Sequence, residues 1–424
     1  MLTSANYKPP KIITLENGLR IISEEIPGAL SCTLSIWINV GSIDEEVSNN
    51  GVSHFIEHII FKGTKTRTAL EIAEQSENVG ANLNAFTDRE HTCYHTRILS
   101  EHVLVALELF LDMLFNSRMQ DNDFDLEKQV ILEEIKMYED TPEDLVQDLL
   151  YEVVWKGHPL GKPITGTIES ITNLKKKSVF NFLSDLYTPD NMIISLAGKY
   201  DLAAIIQKTE KLTSNINNKN KKKDAPPLII TPDIFIKDKD IEQTHLSFAT
   251  KGVSVYDEER YTLAVIDIAM GGGMSSRLFQ EVREKRGLAY VISSYYHTNK
   301  LGGLFGVYAG TTAKESSHVI ELILKELNAV KKDGLKPDEL ERAKMQLKTS
   351  LFLELESTMV RASRNALYDL YYKRFLTPDE INSSVQLITN ERIIKLANVI
   401  FNSKYYTLTA VGPRNEMPKK FSLG

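Results

Sequence analysis

His54-Phe55-Ile56-Glu57-His58 decides the reading of this chain, with Asn50-Gly51-Val52-Ser53 before it and Ile59-Ile60-Phe61-Lys62-Gly63 after it. On a helix, two histidines four residues apart lie one turn above each other, so both imidazoles reach one metal ion from the same face. Glu57 is three residues from His54 and adjacent to His58, close enough to touch a water at that ion without being a ligand. Val52, Phe55, Ile56, Ile59 and Ile60 fall on the other side, the pattern of a helix packed into a core with its polar stripe toward a cleft. The order is HxxEH, the inverse of the HExxH zinc signature.

A hydrolytic zinc site takes about three protein ligands and keeps one position open for water. The run from Asp123 to Glu139 reads as an amphipathic helix through Phe124, Leu126, Val130, Ile131, Ile135 and Tyr138. It carries Glu127 and Glu134 two turns apart on one face, and Glu134 is the candidate third ligand.

Together, the words from His54 to Gly63 and from Leu126 to Ile135 resemble the pitrilysin-type inverzincin metallopeptidases. Within them the resemblance is to the shorter-chain branch that includes the mitochondrial processing peptidase and its bacterial relatives. It implies one Zn2+ per chain held by His54, His58 and Glu134, with Glu57 as the base that activates water and Glu127 as a supporting carboxylate. No position departs from that pattern.

At 424 residues the chain exceeds the usual size of one core, so two or more domains are expected. A formal net charge of -7 leaves no basic footprint for nucleic acid. Cys32 and Cys93 are too few for a disulfide framework and suit a reducing compartment. The stretch Met1 to Pro10 has no apolar signal core and no run approaches a membrane span, so a cytoplasmic protein without membrane insertion is expected.

Ile12 to Pro27 alternates around Asn17-Gly18, a hairpin signal, and Leu34, Ile36, Ile38 and Val40 alternate as a strand. Ala81 to Arg97 reads as two strands around Asp88-Arg89-Glu90. The resemblance makes the segment Asn82 to Thr87 an edge strand that receives an extended substrate by strand addition, with Asn84 and Ala85 as binding residues. It also makes Phe61 part of the pocket for the residue after the cleaved bond. His91 and His95 are four apart, but on a strand that spacing separates their side chains by about 13 Å, so structural or surface roles are expected.

Thr213 to Pro227 is polar, lysine-rich and closed by two prolines, the composition of a solvated linker. It divides an expected catalytic domain, residues 1–212, from a homologous domain, residues 228–424, with 213–227 as linker. The second part repeats the outline of the first: a strand near His245 to Thr250, then Asp257-Glu258-Glu259 and a helix. Two similar α+β domains of a clamshell are therefore expected, each a mostly antiparallel sheet with helices packed on it. In place of HxxEH the second part offers Gly271-Gly272-Gly273 and the phrase ending in Arg286-Gly287-Leu288-Ala289-Tyr290, without the lysine and hydroxyl spacing of a nucleotide loop. The glycines are expected to form a hinge or end a helix. By the resemblance, Arg286 and Tyr290 hydrogen-bond the substrate near the zinc, where a cation and a phenol suit charge developing on a carbonyl oxygen.

The implied reaction is endopeptide hydrolysis of peptides or unfolded, presequence-like segments inside a closed chamber, by a homodimer. Two alternatives stand beside it. One is a non-catalytic homologue like the core subunits of respiratory complexes; the other is a peptidase that degrades small peptides without presequence specificity.

Overall fold

The computed structural model describes residues 8–216, 218 and 221–423. Part of the N-terminal stretch (Met1 to Tyr7) and part of the expected linker (Asn217, Lys219 and Asn220) lie outside the described residues. From the N-terminus the elements run β1 (Lys11–Thr14), β2 (Arg20–Glu25), β3 (Ser31–Ile38), α1 (Val52–Ile59), α2 (Ala69–Glu77), β4 (Asn84–Thr87) and β5 (Thr92–Leu99). There follow α3 (Val103–Asn116), α4 (Asp121–Asp140), α5 (Pro142–Val154), α6 (Ile168–Asn173), α7 (Lys176–Leu186), β6 (Met192–Gly198) and α8 (Leu202–Thr213). Next come β7 (Ile234–Asp238), β8 (Thr244–Lys251), α9 (Arg260–Gly271), β9 (Ala289–Thr298), β10 (Gly303–Thr311) and α10 (Ser316–Asp333). The chain ends with α11 (Pro337–Leu353), α12 (Thr358–Tyr372), α13 (Pro378–Gln386), α14 (Asn390–Ile400) and β11 (Thr407–Gly412). Among the described residues no helix is long and apolar enough to cross a membrane.

The chain forms two compact units. The first comprises Met1–Lys136, Lys162–Ala225 and Leu353–Thr377, the second Met137–Gly161, Pro226–Phe352 and Pro378–Gly424. The units are therefore not contiguous halves: α5 belongs to the second although it precedes the expected boundary, and α12 belongs to the first although it follows that boundary.

In the first unit the strand order is β1-β2-β6-β3-β5-β4, all antiparallel except β2 with β6. The Asn17-Gly18 hairpin forms as expected, with Gly18 at φ +86°. Period-two alternation divides each central strand between two covered faces. Cys32, Leu34, Ile36 and Ile38 of β3 join Met192, Ile194 and Leu196 of β6 in the main core, beneath α1, α3 and α7. On the other face Ile22, Trp37 and Ile193 pack against Ala366 and Leu370 of α12.

Polar groups also seat α12. Buried Glu24 takes hydrogen bonds from Arg361 Nε (3.1 Å) and Asn365 Nδ2 (2.7 Å), Arg20 Nε reaches Asp369 at 2.7 Å, and Ser195 Oγ donates to the carbonyl of Ala362 at 2.7 Å. The lysine-rich stretch departs from a purely solvated linker. Lys221 pairs with Asp185 at 2.8 Å and Lys222 with Asp44 at 3.0 Å, because the unit offers acidic partners within reach.

In the second unit the order β7-β11-β8-β10-β9 repeats β2-β6-β3-β5-β4 strand for strand, including its one parallel pair, β7 with β11. The internal repeat suggested by the sequence is thus an architectural one. Leu145 and Val146 of α5 cover Val411 on one face of this sheet, and Thr409 Oγ1 donates to the carbonyl of Val146 at 2.9 Å. On the other face lies a core that includes Leu246, Phe248, Phe305, Val307 and Leu408. Gly271 ends α9 and Gly272 caps it, the helix-ending role expected of the glycine run.

The two units supply a matched pair of ion pairs. Arg361 and Glu24 are 19% and 7% exposed, so deleting the arginine strands a buried carboxylate and costs about 3 kcal/mol. Arg392 and Glu259, 32% and 30% exposed, are wetter, and their loss costs below about 1 kcal/mol. Urea unfolding followed by circular dichroism should therefore show Arg361→Ala far more destabilised than Arg392→Ala.

Candidate metal centre

The eight residues of α1 need outside help to begin a helix. Gly51 stands at φ +90°, and a Cβ there would lie 2.7 Å from the carbonyl oxygen of Thr165, so glycine alone fits. The helix start is capped by Glu45, whose carboxylate accepts from the backbone N–H of Gly51 (2.7 Å), the N–H of Ser53 (2.9 Å) and Asn50 Nδ2 (3.0 Å). Burial pushes Glu45 up to about pKa 7, with these three bonds opposing it. Val52, Phe55, Ile56 and Ile59 are buried, and the Phe55 ring lies 4.7 Å from that of Phe124 on α4. This packing turns His54, Glu57 and His58 outward from the core.

Phe124, Ile131 and Ile135 anchor α4 in the same core, which carries Glu134 to the two histidines. One ligand atom each from His54, His58 and Glu134 lies within 4.8 Å of the others. His54 Nε2 is 3.8 Å from Glu134 Oε1, and His58 Nε2 is 3.6 Å from Glu134 Oε2. Nitrogen and oxygen ligands at tetrahedral angles on one zinc stand about 3.4 Å apart, so the spacing and the two-nitrogen, one-oxygen chemistry both fit that ion. Among the described residues this is the metal-fitting cluster that the fold assembles.

The protonation state of His54 suits the same use. Burial, with the charge of His58 next, pushes His54 down to about pKa 3, which leaves its imidazole neutral. Burial also lowers His58, but the hydrogen bond and charge of Glu127 and the charges of Glu134 and Glu57 outweigh it and the net shift is upward. Glu127, 3% exposed, accepts from His58 Nδ1 at 2.9 Å and pairs through its other oxygen with Lys62 Nζ at 2.6 Å. A proton on Nδ1 leaves the Nε2 lone pair facing Glu134, the orienting contact that ligating histidines commonly have. Burial raises Glu127, but the bonds from His58 and Lys62 prevail and keep it ionised.

Burial raises Glu57 above the usual carboxylate range, offset in part by a 2.6 Å hydrogen bond from the Thr87 hydroxyl and by His58, and reinforced by the charge of Glu134. Neither Lys62 nor Thr87 was singled out from the sequence as a partner of the site. The only signal was position, since Lys62 lies one turn beyond His58 and Thr87 ends the strand of Asn84 and Ala85.

That strand, β4, is the outer strand of its sheet and, among the described residues, pairs with β5 alone. Asn84 is exposed and Ala85 half-buried. Phe61 is half-buried and lines a cavity of about 400 Å³ with Ile72, Ala73, Ser76, Ala81 and Leu83. His91 and His95 take structural roles as expected: His91 is buried with its ring 6.1 Å from Trp37, and His95 stands 6.0 Å from the Phe86 ring. Arg286 and Tyr290 lie in the second unit. Arg286 Nη1 donates to Glu281, to Oε2 at 2.7 Å and to the carbonyl at 2.6 Å. Tyr290 is 74% exposed, with the Arg283 guanidinium 5.4 Å from its ring centre.

Comparison with known proteins agrees with this geometry. Residues 20–168, which contain α1 and α4, match the family described as insulinase (peptidase family M16), and residues 173–347 match the family described as peptidase M16 inactive domain. A crystal structure of a protease from Helicobacter pylori has the same fold, with TM-score 0.89 and 23% identity over 96% of this chain and 100% of that one. The structure of a peptidase M16 inactive domain from Pseudomonas fluorescens likewise gives TM-score 0.89 at 20% identity, over 96% and 98%. In sequence, the chain is 40% identical over 408 residues to YmxG of Bacillus subtilis (strain 168), named an uncharacterized zinc protease, covering 96% of this chain and 99% of that protein. Identity at that level along nearly the full length of both proteins decides the kinship: this chain belongs to the M16 peptidase family.

Proposed function

We propose that the protein is a zinc-dependent endopeptidase, with His54, His58 and Glu134 as zinc ligands and Glu57 as the base. The observation that carries this reading is the convergence of those three ligand atoms beside a carboxylate on the same short helix. When bound, zinc supplies Lewis-acid polarisation of a carbonyl and lowers the pKa of water. Glu57 takes a proton from the attacking water and returns it to the departing amine. Glu127 holds His58 in the ligating tautomer, and Lys62 balances the charge of Glu127. The free edge of β4 at Asn84 and Ala85 receives an extended peptide by backbone pairing, and Phe61 helps form a side-chain pocket. Arg286 and Tyr290 grip the substrate carbonyl.

The residues up to 212 thus carry the hydrolytic groups and those after 227 carry Arg286 and Tyr290. The substrate is a peptide or unfolded, presequence-like segment, and two chains pair as a homodimer. A non-catalytic role is the second reading, favoured by the description of the family matched by residues 173–347 as an inactive domain. That stretch carries no HxxEH, whereas the full set lies between His54 and Glu134. Digestion of a basic amphipathic peptide and of short neutral peptides separates presequence processing from general peptide degradation.

Purified protein should contain about one zinc per chain and hydrolyse a quenched fluorescent peptide, with activity lost on chelation and restored by added zinc. Glu57→Gln should retain the metal and lose at least about 100-fold in kcat. A zinc-loaded native protein that cleaves nothing in a broad peptide library would support the non-catalytic reading instead. In metal competition titrations, Glu127→Ala should weaken zinc binding by about 10- to 100-fold, because His58 loses its orienting partner.

A further inference from the structure

Strand β4 and helix α1 meet at a polar link that the reaction as described leaves unused. Alternation along β4 puts Asn84 and Phe86 on its exposed face and Ala85 and Thr87 on the face toward the core. Phe86 fixes one side, its ring edge-on to Trp37 at 5.6 Å and 6.0 Å from His95. On the other side Ala85 packs against the core that contains Phe55 and Ile56, and Thr87 Oγ1 donates to Glu57 Oε2 at 2.6 Å. Among the described residues, Glu57 Oε1 makes no hydrogen bond. One oxygen of the carboxylate is therefore held by the strand and the other is left to meet a proton.

We propose that Thr87 is a positioning residue that couples the edge strand to the base, so that one contact from β4 sets the direction in which Glu57 points. The inference rests on the reading of Glu57 as the base. The chemistry follows from the bond. A hydroxyl that donates to one carboxylate oxygen fixes the plane of the group, and a base rotated out of line with its water loses rate without losing substrate. Strand β4 also carries Asn84 and Ala85, so a peptide added to its free edge is placed relative to Glu57 through a path of three residues. Only a short donor serves here. Threonine supplies the hydroxyl and also the β-branched body that suits a strand.

The test compares Thr87→Val, Thr87→Ser, Glu57→Gln and the double variant E57Q/T87V, each measured for bound zinc, kcat and KM on one quenched fluorescent peptide. Valine keeps the shape of the side chain and removes the donor. Thr87→Val should keep its zinc and its KM within about twofold while kcat falls by about 10- to 100-fold, the loss of a hydrogen bond to a charged group. Thr87→Ser restores the donor and should recover most of kcat. The double variant should be no slower than Glu57→Gln, because Thr87 acts only through the carboxylate. A Thr87→Val enzyme with native kcat would overturn the proposal. So would a serine variant as slow as the valine variant, or a loss confined to KM. If Glu57→Gln itself cleaves at the native rate, the base assignment falls and takes the inference with it. A dead Glu57→Gln beside a fully active Thr87→Val refutes the inference alone.

Discussion

A helix of eight residues carries both histidines and the candidate base, and a helix that short does not hold itself in water. Everything around it supplies what its length cannot. Glu45 satisfies its first amides, Phe55, Ile56 and Ile59 bury its apolar side, Glu127 holds the ring of His58, and Thr87 holds Glu57. On the outward stripe, Glu57 and His58 thus have their directions set by residues from other elements. The arrangement is rigid because the core beneath is packed and the partners are buried, Glu127 and Glu45 almost completely.

The repeat shows what the site requires beyond the fold. In α4 the buried positions Phe124, Glu127 and Ile131 recur in α11 as Leu340, Ala343 and Leu347, with the same spacing. Alanine stands where the first unit has the carboxylate that holds His58, and Ser350 falls where Glu134 would. The second unit keeps the sheet order and the helix succession, while its counterpart of α1, the helix α9, carries neither histidine nor glutamate. Sheet topology is therefore indifferent to the candidate metal cluster, which consists of a few polar side chains carried by one copy.

Much of this was readable in the sequence because it is local. The four-residue spacing of the histidines, the two-turn spacing of Glu127 and Glu134, the Asn17-Gly18 turn and the alternation in β3 are all short-range patterns, and each appears where expected. What escaped has no local signature. The amphipathic pattern of α12 says that it buries a face and cannot say against which sheet, so its seat on Ile22, Trp37 and Ile193 was invisible. The partnership of Thr87 with Glu57 joins residues thirty apart on elements of different type. The lysines at 221 and 222 look solvated by composition, and only the folded surface brings Asp185 and Asp44 to them.

The placement of α12 bears on synthesis as well as on packing. Sheet strands β1 to β6 are complete once Gly198 has been made, yet the helix that covers Ile22, Trp37 and Ile193 begins only at Thr358. At ordinary translation speeds of about 5–20 residues per second, that gap leaves an apolar sheet face uncovered for roughly ten to thirty seconds. Meanwhile α5 is finished early and waits for β8 and β11, its own sheet, to emerge. A nascent chain of this kind displays sticky surface for longer than a chain whose domains close one after the other.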